Sequence, residues 1–176
     1  DGGEAASGVA LQLQVVQDSG FAGISVGADV GWPLTDWFEN VYLRTAGEEM
    51  YDKLTNHEIP WTDPSVTKAL DVMATLWSSD VLEPGGAQRA FGDAVTQVFG
   101  ADPKAGTVYE GDFVAGVITE DGNSVVGKNA LFYDFPSIDG SAAAVVGGDA
   151  ANIAKVNDDA TMALMAYLAS PEAAEI

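Results

Sequence analysis

Thr107-Val108-Tyr109-Glu110-Gly111-Asp112-Phe113 is the stretch of sequence that decides how this chain folds. Apolar and polar residues alternate from Thr107 to Glu110, which predicts a β-strand. Gly111 then permits a bend in the backbone, so Asp112 and Phe113 follow at the end of that strand. The stretch places acids, an aromatic ring and a bendable backbone where a polar ligand could be gripped.

Strands and helices alternate on both sides of this stretch. A short apolar run flanked by glycine predicts a buried strand at 21–26, and the loop at 27–31 follows its carboxyl end, where open α/β sheets bind ligands. Further strands are predicted at 129–135 and 142–146. Helices are predicted at 7–18, 36–45 with Thr35 as its cap, 48–56, 93–99 and after Asn157 or Asp158. The alternation indicates an α/β fold with a mixed sheet flanked by helices.

The clearest helix signal begins at Asp63-Pro64. An acid at the N-cap and proline at the first helical position favour a helix start. The apolar residues that follow recur with a period of 3.6 and predict one buried stripe. The stripe consists of Val66, Ala69, Leu70, Met73, Leu76 and Trp77.

Composition excludes several classes of function. The chain has 176 residues, of which 27 are acidic and 7 are Lys or Arg, so its net charge is −20. Such a charge repels nucleic acid and anionic membrane surfaces. No apolar run reaches the roughly 18 residues that a membrane-spanning helix needs. With no cysteine and one histidine, His57, the sequence predicts neither disulfides nor a transition-metal site, and no cofactor.

Glu110 and Asp112 are the first candidate binding residues. They are two positions apart, so on an extended segment both carboxylates lie on one face. Two adjacent acceptors suit either the hydroxyls of a sugar or coupled acid and base chemistry. A pair of solvated acids at a strand end is the alternative. The ring of Phe113 beside them favours a ligand, because an aromatic face can cover the C–H face of a pyranose.

Trp32 is the second candidate, since it lies in a predicted Gly-Trp-Pro loop that can present the indole to a ligand. Packing against the next helix is the equal alternative. The other three tryptophans are assigned to packing. They are Trp37, Trp61 and Trp77.

The glycine-rich stretch Val145-Val146-Gly147-Gly148-Asp149 provides the last candidates. Gly148 permits close approach of the backbone to a ligand, and Asp149 adds an acceptor there. An ordinary turn would also explain adjacent glycines. Asp29, in the loop before Trp32, is a weaker candidate of the same kind.

The order of these stretches resembles that in the carbohydrate-type family 1 extracellular solute-binding proteins of ABC importers. The stretches are 31–38, 109–113 and 145–149, and residues 167–174 resemble a helix end that family members continue. The resemblance implies a periplasmic-binding-protein-like fold of type II. It also implies that the chain is a fragment of a protein with two lobes. Residues 1–144 would form the ligand-binding carboxy-terminal lobe, and 145–176 a hinge return segment and a helix that packs with the missing first lobe.

The resemblance also implies a function. The chain would belong to a receptor without catalytic activity, which captures a sugar or oligosaccharide and delivers it to the permease subunits of an ABC transporter. It would work in the periplasm, or outside the cell on a lipid anchor. At the position of Phe113 the family usually has tryptophan. The alternatives are a noncatalytic protein-interaction module and, ranked below it, a glycoside hydrolase that uses Glu110 and Asp112.

Overall fold

The computed structural model describes residues 16–77, 81–147, 151–152 and 158–174. Contacts divide the chain into two compact units, Asp1–Val145 and Val146–Ile176. The roles predicted for 1–144 and 145–176 stay predictions. Of the helix predicted at 7–18, only residues 16–18 are described, and they are helical.

A small parallel sheet forms the centre of the first unit. Strand β1 is Ala22–Ser25 and strand β2 is Ala105–Val108. They pair in parallel, with Ile24 opposite Thr107. On its other side Ile24 forms a parallel bridge to Leu82, so β1 is the central strand. Because the pairing is parallel, the carboxyl ends of β1 and β2 lie at the same edge of the sheet.

Besides the helical residues 16–18, the described part of the first unit contains five α-helices. They are α1 Trp32–Ala46, α2 Glu48–Thr55, α3 Pro64–Leu76, α4 Phe91–Phe99 and α5 Val114–Glu120, and Gly86–Gln88 forms a turn of 3₁₀ helix. Helix α4 is fastened to the sheet by Ser25, whose Oγ donates to Gln97 Oε1 at 2.9 Å. The strands and helices predicted between residues 21 and 99 occur in the predicted order. The strand predicted at 107–110 lies slightly earlier, at Ala105–Val108, and helix α5 was not predicted.

Helix α3 starts where the sequence predicts. Asp63 is its N-cap, and the carboxylate accepts a hydrogen bond from the Ser65 N–H at 2.9 Å. Four of the predicted stripe residues are buried, namely Val66, Ala69, Met73 and Leu76. Leu70 is half exposed, so that part of the prediction was wrong. It lies about 100° around the helix from Ala69, which turns it away from the buried face.

Trp37 is the centre of the main core and is only 2% exposed. Its ring contacts those of Trp77 at 5.4 Å, Tyr109 at 4.8 Å and Phe135 at 5.8 Å between centroids. The packing role predicted for Trp37 is confirmed. Trp61 is 61% exposed, although its ring contacts Phe38. A smaller cluster joins α4 and α5, and consists of Val95, Ile118 and Ala130.

The strands predicted at 129–135 and 142–146 were wrong. The first range is irregular, with one isolated bridge between Val126 and Ala130, and residues 142–146 carry no strand. The buried side chain of Arg44 donates to the carbonyl oxygens of Pro136 at 3.1 Å and Ser141 at 3.2 Å. Both carbonyls lie between the two predicted strand ranges, so the Arg44 side chain holds this irregular segment.

The second unit contains helices α6, Asp159–Leu168, and α7, Pro171–Ala174. Asp158 is the N-cap of α6, and its carboxylate accepts from the Thr161 N–H at 2.8 Å. The cap predicted at Asn157 or Asp158 is thereby confirmed at Asp158. In the ranges that the structure describes, we find no helix with both the length and the apolar character needed to cross a membrane.

Gly27 is the position where the loop after β1 has no room for a side chain. A Cβ at Gly27 would lie 2.7 Å from the carbonyl oxygen of Ala90 and 2.9 Å from Phe91 Cα. Gly27→Ala should therefore lower the free energy of unfolding by about 1–3 kcal/mol, as overpacking usually does. Urea unfolding of the full-length protein measures this loss.

Gly116→Ala is the matched control. A Cβ at Gly116, within α5, meets no atom within 4 Å. The exchange should leave stability unchanged or raise it by up to about 1 kcal/mol through helix propensity. Equal unfolding midpoints for the two variants would contradict the close approach at Gly27.

Candidate functional site

The candidate site lies at the edge of the sheet where both strands end. The loop after β1 leads into α1 at Trp32, and the loop after β2 passes Glu110 and reaches α5 just beyond Phe113. The rings of Trp32 and Phe113 lie 5.8 Å apart although the residues are far apart in sequence. The structure thus brings four of the predicted residues to one edge of the sheet, the other two being Glu110 and Asp112.

Three aromatic rings form what we call the aromatic platform: Trp32, Phe91 and Phe113. The centroid of Trp32 is 4.9 Å from that of Phe91, and Phe91 is 5.8 Å from Phe113. Trp32 is 38% exposed and Phe113 is 50% exposed. Rings that touch one another while staying accessible offer a stacking surface to a ligand. Sequence reasoning missed Phe91. An aromatic residue two positions before the helix predicted at 93–99 was the pattern that could have indicated it.

Trp32 is the first residue of α1 rather than part of a loop, which corrects the prediction. Gly31 precedes the helix with φ of 82°, and no side chain caps it. Thr35, predicted as the cap, lies inside the first turn, where its Oγ1 donates to the Trp32 carbonyl oxygen at 2.6 Å. Pro33, with its fixed φ, accounts for the earlier start. The indole is therefore held by a helix.

A buried arginine fixes the loop beneath the platform. Arg89 donates to the Val26 carbonyl oxygen at 3.0 Å and also to Glu83 and the Pro84 carbonyl. The Asp29 N–H donates to the Arg89 carbonyl oxygen at 3.2 Å. These bonds join the chain after β1 to the segment that leads into α4. Arg89 therefore positions Phe91, two residues further on, against Trp32.

Glu110 and Asp112 line one cavity of about 300 Å³. Its wall is otherwise largely aromatic and aliphatic, and includes Tyr109, Phe132 and Tyr133. The predicted pair therefore does face a common space. The two acids differ in setting, because Asp112 lies exposed in a turn whereas Glu110 is half-buried.

The carboxyl group of Glu110 has an unusual environment. Its Oε2 is buried and has no hydrogen-bond partner among the described residues. Burial, and then the negative charge of Asp36, raises the pKa of Glu110 to about 8. The group is therefore mostly neutral at pH 7, when it can donate a hydrogen bond. Sequence reasoning treated it as an acceptor, because burial is a property of the folded chain.

Tyr109 supports Glu110 from the core side. Its ring packs against Trp37 and lies edge-on to Phe135 at 5.2 Å. Burial, with a smaller contribution from Asp36, raises the pKa of Tyr109 to about 12. The phenol is thus neutral at physiological pH and adds no charge beside Glu110.

The remaining predicted residues add less to this site. Gly148 and Asp149 lie outside the described residues. Asp29 is exposed in the loop before the platform, and His57 is exposed on the surface. Within the described ranges, no group of three or more His, Asp or Glu side chains could hold a metal ion.

A stacking surface and carboxyl groups at the carboxyl edge of a parallel sheet are typical of a solute-binding lobe. No protein-family model matches the sequence. The chain is 36% identical over 118 residues to the alpha-glucosides-binding periplasmic protein AglE of Rhizobium meliloti, covering 65% of this chain and 25% of that protein. It is 32% identical over 161 residues to the osmoprotective compounds-binding protein GgtB of Synechocystis sp., covering 88% of this chain and 37% of that protein.

A solved structure agrees with these relatives. The bacterial solute receptor AcbH, described as preferring β-D-galactopyranose exclusively, matches with a TM-score of 0.65 and 27% identity over 75% of this chain and 32% of that chain. The predicted resemblance is confirmed: this chain is related to the solute-binding proteins of sugar ABC transporters, and its fold is part of a periplasmic-binding-protein-like lobe. It spans between 25% and 37% of the length of the two curated relatives.

The buried acid predicts a specific dependence of stability on pH. Folding raises the pKa of Glu110, so the folded state binds the proton more tightly than the unfolded state does. Protonated Glu110 therefore stabilises the fold at low pH, and this stabilisation is lost as pH rises from the ordinary pKa of 4.5 through about 8. Glu110→Gln removes this loss because an amide does not ionise. The melting temperature of the variant, relative to the unaltered protein, should therefore rise between pH 5 and pH 9.

Asp112→Asn provides the control for this prediction, since it removes an exposed carboxylate two residues away. Its melting temperature should show no comparable gain with pH. A constant offset between Glu110→Gln and the unaltered protein across the whole range would contradict the buried setting of Glu110.

Proposed function

We propose that this chain supplies the ligand-gripping lobe of an extracellular substrate-binding component of an ABC transporter. In the full-length protein this lobe captures a sugar or oligosaccharide and presents it to the membrane permease. The observation that carries the proposal is the aromatic platform of Trp32, Phe91 and Phe113. Phe113 directly follows Asp112, which lines the largely apolar cavity together with Glu110.

The site has both chemical groups that sugar recognition needs. The C–H face of a pyranose is apolar and stacks on an aromatic ring, while its hydroxyls need hydrogen-bond partners around the rim. Here the platform offers the rings, and Glu110 and Asp112 offer the polar groups. Gly148 and Asp149 keep their predicted role as ligand contacts from the return segment.

The relatives support the location and the partner. AglE is a periplasmic binding protein by name, and AcbH is a solute receptor. We therefore assign the protein to the periplasm or to the outer face of the cell membrane, with a lipid anchor in the latter case. Residues 145–176 would serve as the hinge return segment and as a helix that packs with the first lobe. Release of the sugar to the permease then follows from opening of the two lobes.

A glycoside hydrolase is the second candidate, and one observation favours it. Hydrolases pair a neutral carboxylic acid with an ionised carboxylate across the scissile bond. Glu110, with its raised pKa, has the character of the acid, and Asp112 supplies a second carboxyl group at the same cavity. The relatives are binding proteins, which places this function second. Release of nitrophenol from aryl glycosides, abolished by Glu110→Gln, would establish it.

Loss of the platform should weaken sugar binding. Phe91→Ala and Phe113→Ala each remove a ring that a pyranose would contact, and should raise the dissociation constant about three- to tenfold. Isothermal titration calorimetry on the full-length protein, with D-galactose and methyl α-D-glucopyranoside in the first panel, measures this. Thermal unfolding screens a wider panel, since ligand at 100 times its dissociation constant adds about 2.7 kcal/mol of stability.

Trp61→Ala is the matched control, because this exposed ring contacts Phe38 rather than the platform. It should leave the dissociation constant unchanged. Unaltered affinity in both phenylalanine variants would contradict the proposed site. The absence of stabilisation by any mono- or oligosaccharide would contradict the proposed function and favour a protein-interaction module.

A further inference from the structure

We propose that Glu110 binds the ligand as a neutral carboxyl group, donating a hydrogen bond to a sugar oxygen, so that the site selects uncharged polyhydroxylated ligands and weakens in alkaline solution. The inference rests on the proposed function and concerns the same site. It changes the role of Glu110 from an anionic acceptor to a donor that also accepts.

The geometry around Glu110 disfavours a charge. One carboxyl oxygen, Oε2, is buried without a partner among the described residues. Of the described residues in the wall of this cavity, none is Lys, Arg or His. A buried carboxylate without a counter-charge is costly, and the group avoids that cost by keeping its proton. A neutral carboxyl in this cavity still has a donor and an acceptor to offer.

The charged and titratable groups near Glu110 act in the same direction. From α1, Asp36 places a second negative charge near it. From its own loop come Asp112 and the neutral phenol of Tyr109, and the irregular segment adds Tyr133. Helix α5 contributes only apolar side chains to the cavity wall, Val114, Ala115 and Ile118. Among the described residues that line the cavity, no cation stabilises an ionised Glu110.

The buried cation Arg44 is committed elsewhere. Arg44 does not line the cavity. Its Nε donates to Asn40 Oδ1 at 2.8 Å, and Nη1 donates to the Pro136 and Ser141 carbonyl oxygens. Its charge acts on Tyr109 and Asp134. Arg44 therefore supports the backbone of the irregular segment and leaves Glu110 without a salt bridge.

The chemistry of the ligand follows from this neutral group. A sugar hydroxyl or ring oxygen accepts the carboxyl proton, and a hydroxyl can donate to the other oxygen. A cationic solute would instead require the ionised form and would bind better as pH rises. An anionic sugar acid would be repelled by the negative charge of Asp36, which also acts on Glu110. The cavity therefore favours uncharged polyols over both kinds of ion.

The dependence on pH has a defined sign. Burial and Asp36 raise the pKa of Glu110 to about 8. The protonated form, which is the one that binds, therefore dominates at pH 7 and is lost as pH rises through about 8. The apparent dissociation constant is the intrinsic one divided by the competent fraction. It should therefore increase about tenfold between pH 7 and pH 9 when binding requires the proton.

Calorimetry on the full-length protein tests this inference, with D-galactose, methyl α-D-glucopyranoside and glycerol glucosides as neutral probes and glycine betaine and choline as charged-nitrogen probes. Titrations at pH 6 to 9.5, in buffers of different ionisation enthalpy, give both affinity and protons exchanged. We expect weakening above pH 8 and uptake of up to one proton per neutral ligand near pH 8.5. Glu110→Gln should bind with no uptake and a flat profile, whereas Asp112→Asn should keep the slope.

The outcomes separate this inference from the proposed function. Sugar binding by the unaltered protein that is independent of pH and takes up no proton would overturn the neutral role of Glu110 and leave the receptor intact. Affinity that rises with pH, or preferential binding of choline, would overturn it as well. No binding of any sugar at any pH would contradict the proposed function itself. Proton uptake is measured on the unaltered protein, so the test stands even where Glu110→Gln fails to fold.

Discussion

The packing of Trp37 is the contact on which the rest of this lobe depends. Its ring touches Trp77 at the end of α3, Tyr109 at the exit of β2, and Phe135 in the irregular segment. Because Tyr109 directly precedes Glu110, the same contact sets where that carboxyl group lies. Helix α1 carries Trp32 about one and a half turns before Trp37, so one rigid element connects the core with the aromatic platform.

Two buried arginines hold the irregular backbone around this core. Arg44 bonds the carbonyl oxygens of Pro136 and Ser141, and Arg89 bonds that of Val26. In a chain with 27 acids and 7 basic residues, most cations would be expected to pair with surface carboxylates. Using two of them for buried carbonyls fixes loops that have no ladder of backbone hydrogen bonds. Glu110 keeps its proton because it is partly buried and lies near the negative charge of Asp36.

Sequence reasoning succeeded where the signal is local and failed where it depends on packing. Asp63 and Pro64 specify the start of α3 through short-range geometry, and the meeting of Trp32 with Phe113 follows from two parallel strands ending at one edge. The strand predicted at 129–135 has suitable residues, but among the described residues it has no partner strand and forms only an isolated bridge between Val126 and Ala130. The different settings of Glu110 and Asp112 arise from burial, which two acids in one short motif do not reveal.

A neutral carboxyl group near a second carboxyl group is compatible with both binding and hydrolysis, so the surroundings must decide between the two functions. Hydrolysis needs both carboxyl groups held rigidly on opposite sides of one bond. Here Asp112 and Phe113 lie exposed in a turn, and the platform beside them presents apolar faces rather than a positioned nucleophile. A receptor does not need such rigid placement, since stacking and a few hydrogen bonds hold a sugar that must later be released. The aromatic platform provides the stacking surface, and the carboxyl group of Glu110 provides hydrogen bonds. Because this carboxyl group is neutral, it adds selectivity without adding charge.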